Sequence, residues 1–253
     1  MSKVYLIGAG PGAPDLLTLR AARLLEQADI VFHDALVHPD TVALATRAEK
    51  IAMGKRCGKQ STAQKFINKR LVDAARKHAI VVRLKGGDPM LFGRAQEEIE
   101  ALAEAGIEYE IVPGITAALA ASAEIAVSLT RRGVSRHVVF VTPRIGEEQT
   151  ESDWADTVLH ADTAAIYMGA SQAEAIAATL IARGRAPATP VALVENASLP
   201  SGSVRYGVLA ELASLARAGG DGPAVILLGE VLREKLAALC ATARRSGASA
   251  VAA

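Results

Sequence analysis

The chain has 253 residues, 51% of them hydrophobic, enough for one large or two modest domains with ample core. Lys+Arg 28 against Asp+Glu 27 leave a formal net charge of +1, which excludes a general nucleic-acid binder but not a local basic pocket. Cys57 and Cys240 are too few for a disulfide framework, no signal-peptide pattern opens the chain, and the most apolar long stretch, 115–129, is broken by Thr116, Ser122, Glu124 and Ser128, so a cytoplasmic protein that crosses no membrane is expected.

Val4 to Ile7 reads as a strand, followed by a helix over Asp15 to Gln27 with Leu16, Leu19 and Leu24 on its apolar face. Asp29 to Phe32 is a second strand ending at His33-Asp34, and Lys50 to Met53 a short third. Ser61-Thr62-Ala63-Gln64 has the form of a capping box, which starts a helix running to about Lys77. Ile80, Val81, Val82 and Leu84 form a β-branched, apolar run and read as a buried strand. The chain then breaks into Gly86-Gly87-Asp88-Pro89, and Gly93 precedes a helix from about Arg94 to Ala105. Tyr109 to Val112 is another strand, stopped by Pro113-Gly114.

A small-residue helix, Thr116 to Ala123, opens a second pass. His137–Thr142, Thr163–Met168, Val191–Glu195 and Val225–Leu228 are strand candidates, with helices over Ser171–Arg183 and Leu209–Arg217. Ser203–Val208 is a further strand candidate, which makes part of the second sheet antiparallel. Alternating strands and helices mean an α/β fold. The Pro113-Gly114 break divides it into an N-terminal α/β domain, 1–114, and a C-terminal α/β domain, 115–243, with a small-residue tail, 244–253, expected to be disordered.

A strand whose carboxyl end opens into a glycine loop before a helix is where open α/β proteins bind small molecules. Gly8 to Ala13 match G-x-G-x-x-A, and Asp29 and Asp34 lie about 20 residues on, so an NAD-dependent oxidoreductase is one reading. Pro11 weighs against it, because it removes a backbone N–H from the turn meant to hold a pyrophosphate. In the second loop, Gly86 and Gly87 permit close backbone approach or positive φ, and Asp88 offers an acceptor-only carboxylate. Asp34 is either a turn acid or a functional carboxylate, and Arg94 and Glu97 are spaced as an i,i+3 pair. Lys55, Arg56 and Lys59 form one basic group, and Arg131, Arg132 and Arg136 another. The histidines, 5 in number, show no ligand spacing, so no metal is expected.

The segment K-G-G-D-P…F-G-R…E-E, 85–98, resembles that of uroporphyrinogen-III C-methyltransferases. G-A-G-P-G-A-P-D-L-L-T-L (8–19), D-A-L-V (34–37), G-K-R-C-G (54–58), V-P-G-I-T-A (112–117), L-T-R-R-G (129–133), Y-M-G (167–169) and V-E-N-A-S (194–198) follow in the order of the tetrapyrrole methylase family. The resemblance implies two α/β domains with S-adenosylmethionine folded into the cleft between them. It implies cofactor contacts at Pro11, Gly86, Gly87, Asp88, Leu91, Thr116, Ala117 and Met168, with Ala197 contributing only backbone.

The resemblance makes Asp34 a candidate proton acceptor and Lys55 a candidate proton donor. Arg94 is a rival for the acid–base role, though a guanidinium that stays charged is easier to see as a substrate anchor. Arg56, Lys59, Glu97 and Arg132 are assigned to the substrate, a reduced tetrapyrrole whose carboxylates need cationic partners. The implied reaction methylates uroporphyrinogen III at carbons 2 and 7, giving precorrin-2 by way of precorrin-1, with S-adenosylhomocysteine released. The family's members are homodimers. A methylase of a later corrin intermediate and a non-catalytic sensor of S-adenosylmethionine stand as alternatives. His33 before Asp34, and Val141-Thr142-Pro143-Arg144 in place of V-T-G-H or V-T-A-H, depart from the family pattern and bear on the shape of the substrate pocket.

Overall fold

The computed structural model describes residues 2–53, 60–145 and 152–245. The chain divides into two compact units, Met1–Ala117 and Ala118–Ala253.

The first unit runs β1 (Lys3–Gly8), α1 (Leu19–Gln27), β2 (Ile30–His33), α2 (Pro39–Ala43), β3 (Glu49–Ala52), α3 (Gln60–Ala75), β4 (Ile80–Lys85), α4 (Ala95–Glu104) and β5 (Glu108–Val112). The strands form one sheet in the order β3-β2-β4-β1-β5, parallel throughout. A parallel sheet is buried on both faces by its crossover helices, which is why its strands read as apolar runs. Side-chain alternation divides the core. Ile7, Val82 and Leu84 pack with Ala21 and Leu25 of α1, whereas Val4, Leu6 and Val81 pack with Leu71 and Ala74 of α3 and Leu102 of α4.

One helix start differs from expectation. Pro14–Leu16 forms a separate 3-10 turn, and α1 begins only after Thr18, whose hydroxyl accepts from the Ala21 N–H at 3.1 Å. Helix α3 spans Gln60–Ala75, and the side chains of the expected capping box at Ser61 to Ala63 lie outside the described residues.

The second unit holds α5 (Ala117–Glu124), which begins at the last residue of the first unit, then β6 (Val138–Val141), α6 (Trp154–Leu159), β7 (Thr163–Tyr167), α7 (Ala173–Ala182), β8 (Pro190–Glu195), β9 (Ser203–Val208), α8 (Leu212–Arg217), β10 (Ala224–Gly229) and α9 (Arg233–Arg245). Its sheet runs β6-β7-β10-β8-β9, with β6 and β7 parallel and the other pairs antiparallel. Ala164 and Ile166 face Ile176, Leu180 and Leu212, whereas Ala165 and Leu227 face Ala118 and Ala121 of α5 and Ile125 just beyond it. At the end of β8, buried Glu195 accepts from Arg205 Nη2 (2.8 Å) and from the N–H groups of Gly220 (3.0 Å) and Gly222 (2.9 Å). The Arg205 guanidinium, aided by those N–H groups, holds the Glu195 carboxyl below its usual pKa. That carboxylate therefore ties the 219–223 loop to the sheet. Among the described residues no helix is long and apolar enough to cross a membrane.

Candidate active site

All strands of the first sheet point the same way, so the loops after β1, β4 and β5 emerge at one edge. They touch there, and glycine makes the contact possible. A Cβ on Gly8 would lie 2.6 Å from Gly114 Cα, and one on Gly114 only 2.3 Å from the Gly87 carbonyl oxygen. Gly10 and Gly87, at φ 75° and 68°, join the loops by a pair of backbone hydrogen bonds of 3.2 and 2.7 Å. Pro11, Gly86, Gly87 and Thr116 are thereby gathered at this edge. Among the described residues, a Cβ on Gly86 would meet only Leu36 Cβ, at 3.4 Å, and one on Gly87 only Thr116 Cα, at 4.0 Å. The missing side chains leave the backbone there open to close approach, which suits a ligand held by peptide groups, such as an amino acid and a ribose.

Asp88 has a more structural part than expected. Its Oδ1 accepts from the Met90 N–H at 2.8 Å and its Oδ2 from the Gly114 N–H at 2.9 Å, so it fastens the β4 loop to the β5 loop. Leu91 follows in the same turn, its N–H donating to the Asp88 carbonyl at 3.3 Å. Asp88→Ala is expected to lower folding stability by about 1.5 to 3 kcal/mol, the worth of hydrogen bonds to a charged group. Urea denaturation checks this, and an unchanged midpoint would show that the loops hold without it.

Beneath the loop lies a charge cluster that sequence reading missed. In β4, Arg83 and Lys85 stand two residues apart, so both project to the α3–α4 face. Arg83 and Lys85 are 2% exposed and Glu98 of α4 is fully buried between them. Glu98 accepts from Arg83 Nε (3.0 Å), from Lys85 Nζ (2.9 and 3.0 Å) and from Gln64 Nε2 (3.3 Å). Arg83 then reaches with Nη2 to Asp34 Oδ1 at 2.5 Å. Burial opposes the charge on Arg83, yet the Glu98 and Asp34 carboxylates outweigh it and raise its pKa. Lys85 is shifted the other way, since burial and then the neighbouring Arg83 charge lower it. The lysine of the K-G-G-D-P segment and the second glutamate of E-E thus face each other in the interior. Gly93 leaves room for that lysine, since a Cβ there would sit 3.2 Å from Lys85 Cε.

Asp34 follows β2, and its N–H donates to the Leu84 carbonyl at 3.1 Å, which sets it beside the end of β4 and Gly86. Its side chain keeps 32% of its surface exposed. His33 Nδ1 donates to the Asp34 carbonyl at 3.2 Å. Asp29 lies at the opposite edge, where its Oδ2 accepts from the N–H groups of Ala79 (2.9 Å) and Ile80 (2.8 Å), a placement unsuited to a nucleotide ribose at the glycine loops.

Arg94 sits at φ 54° before α4 and forms a bidentate pair with Glu97, at 2.7 and 2.8 Å. The Glu97 hydrogen bonds raise the Arg94 pKa, which makes it a poorer base. Leu36, Met90 and Phe92, on the loops after β2 and β4, are exposed apolar side chains that sequence reading passed over.

In the second unit Met168 is 41% exposed at φ 55° just past β7, and Ala197 is buried just past β8. Tyr167 and Val194 both pair with Val225, so these two strand ends flank the start of β10. Tyr167 Oη accepts from the Ala118 N–H at 3.0 Å, next in the chain to Thr116 and Ala117. Arg132 is exposed, whereas Arg131 pairs with Glu234 at 2.7 Å. Pro143 is buried and Arg144 exposed. Lys55, Arg56 and Lys59 lie outside the described residues, as does the tail beyond Arg245. Among the described residues no group of three or more His, Cys, Asp or Glu side chains could hold a metal ion.

The family model for Tetrapyrrole (Corrin/Porphyrin) Methylases matches residues 3–213. A siroheme synthase of Pseudomonas putida is 47% identical over 239 residues, 93% of this chain and 52% of that protein. The chain spans about half the length of the curated relatives it matches. The uroporphyrin-III C-methyltransferase of Thermus thermophilus complexed with S-adenyl homocysteine superposes with a TM-score of 0.79 at 38% identity, over 92% of this chain and 99% of that one. Cobalt precorrin-4 methyltransferase, a cobalamin biosynthetic enzyme, gives a TM-score of 0.81 at 30% identity, over 91% of this chain and 95% of that one. With most of its length matched by the family model and relatives 47% identical over 93% of it, this chain belongs to the tetrapyrrole (corrin/porphyrin) methylase family.

Proposed function

We propose that this chain is an S-adenosylmethionine-dependent methyltransferase that methylates uroporphyrinogen III at carbons 2 and 7, giving precorrin-2 through precorrin-1 and releasing S-adenosylhomocysteine. The observation that carries this reading is the open Gly86-Gly87 backbone with the Asp34 carboxylate fixed beside it. The likeness to the Thermus thermophilus enzyme supports the choice of substrate. A later corrin intermediate is the second reading, supported by the TM-score of 0.81 to cobalt precorrin-4 methyltransferase.

Pro11, Gly86, Gly87, Asp88, Leu91, Thr116 and Ala117 are the cofactor contacts we assign on the first unit. Met168 and Ala197, on the second, are assigned by resemblance alone. Bound there, S-adenosylmethionine supplies a methyl group already activated on sulfonium. The chain's own work is to orient and to move a proton. Peptide groups and small side chains fix the reactants in place, which is worth far more than any single contact. Once the pyrrole carbon has gained its methyl it is quaternary and the ring is left iminium-like; a neighbouring position of the tetrapyrrole then sheds a proton to restore a neutral conjugated system, and Asp34 accepts it. Asp34 suits this because Arg83 holds its Oδ1 while the side chain remains about one-third exposed. Lys55 is assigned as proton donor, and Arg56, Lys59, Arg94, Glu97 and Arg132 to the carboxylate-rich substrate and its positioning. We assign no metal, and we infer a cytoplasmic homodimer from the resemblance.

Calorimetry tests the class of cofactor. S-adenosylhomocysteine is expected to bind with one molecule per chain and NAD not at all. NAD binding with no response to S-adenosylhomocysteine would restore the oxidoreductase reading.

A further inference from the structure

The Arg83–Glu98–Lys85 cluster is costly to bury, and a cluster of this kind has no need to end on a half-exposed carboxylate if it serves packing alone. Its charges are two positive, Arg83 and Lys85, and two negative, Glu98 and Asp34. Three of these side chains are almost wholly buried, and Asp34 alone reaches the open edge. The cluster is therefore neutral only while Asp34 is ionised, and each proton that Asp34 takes leaves one uncompensated positive charge inside.

We propose that Arg83, Glu98 and Lys85 are positioning residues for the proton transfer: Glu98 anchors Arg83, Arg83 aims the Asp34 carboxylate, and Lys85 keeps the group balanced only in the ionised state of Asp34. This rests on the assignment of Asp34 as proton acceptor. The result is a carboxylate that receives a proton and releases it promptly, as an enzyme assigned two transfers in succession requires. Among the described residues, the other groups around Asp34 do not duplicate this. Among the described side chains of α3, the neutral amide Gln64 reaches Glu98 and is bonded to Asn68 at 3.0 Å, while the cation Arg70 stacks on the Phe32 ring at 5.7 Å. On its own strand, His33 turns Nδ1 to the Asp34 carbonyl and not to its carboxylate.

Lys85→Met separates aiming from packing, because it leaves the Arg83–Glu98 and Arg83–Asp34 contacts in place and removes one positive charge. A nearby cation favours an ionised carboxylate, so losing it raises the carboxyl pKa. In the full-length chain, carbon-13 NMR of labelled aspartates is expected to show the Asp34 midpoint rising by roughly one pH unit in Lys85→Met and returning in Lys85→Arg. The Asp34 signal is the one lost in Asp34→Asn. The acidic limb of the kcat profile should rise with it. An unmoved Asp34 midpoint, or a proton taken up by Glu98 instead, overturns the inference. A midpoint that rises while the acidic limb stays put leaves the coupling standing and overturns the proton-acceptor assignment. Should Lys85→Met fail to fold by circular dichroism, Lys85→Gln, which keeps a donor toward Glu98, carries the same expectation.

Discussion

Asp34→Asn is expected to lower turnover by about 10²- to 10⁴-fold, the usual cost of losing a general base, and to leave S-adenosylhomocysteine affinity unchanged. The amide keeps the shape of the carboxylate and can still accept from Arg83 through its carbonyl oxygen, so positioning survives while proton acceptance does not. The comparison that gives the result meaning is Arg94→Lys. That variant keeps the charge but loses the fork that grips Glu97 at 2.7 and 2.8 Å, so it is expected to raise KM more than it lowers kcat. Measured at saturating substrate, weakened binding does not pass for slowed chemistry. Near-normal turnover in Asp34→Asn together with collapse in Arg94→Lys would transfer the critical role to Arg94.

Glu98→Ala is expected to destabilise the fold by about 3 to 5 kcal/mol, because it leaves Arg83 and Lys85 buried without the carboxylate between them. Glu97→Ala, one residue away, removes an i,i+3 partner at the surface and is expected to cost only a few tenths of a kcal/mol. Denaturant titration of both variants makes the contrast. Equal small losses would mean that the buried cluster adapts by shedding a proton or admitting water.

Much of the architecture is legible along the chain because its signals are local. Apolar runs ending in glycine mark β1, β4 and β5, and the same glycines predict the loops that meet at Gly8, Gly87 and Gly114. Ser203–Val208 is a strand, and it pairs antiparallel with β8 as its position suggests. What escapes the sequence depends on partners distant along it. Asp88 looks like a free ligand acceptor until Gly114, 26 residues on, is found donating to it. Arg83 and Lys85 look like polar interruptions of a buried strand. Their spacing of two does place them on one face, and that signal, together with a glutamate on the inner side of the next helix, was available.

The central claim is that this chain transfers methyl groups from S-adenosylmethionine to uroporphyrinogen III. Anaerobic incubation of the purified chain with uroporphyrinogen III and S-adenosylmethionine labelled in its methyl group tests it most directly, read by mass spectrometry and carbon-13 NMR of the tetrapyrrole. The expected product carries two labelled methyl groups, at carbons 2 and 7, with two molecules of S-adenosylhomocysteine formed for each tetrapyrrole. Unlabelled uroporphyrinogen III recovered from a chain that binds S-adenosylhomocysteine, alongside label entering a later corrin intermediate, would contradict the claim.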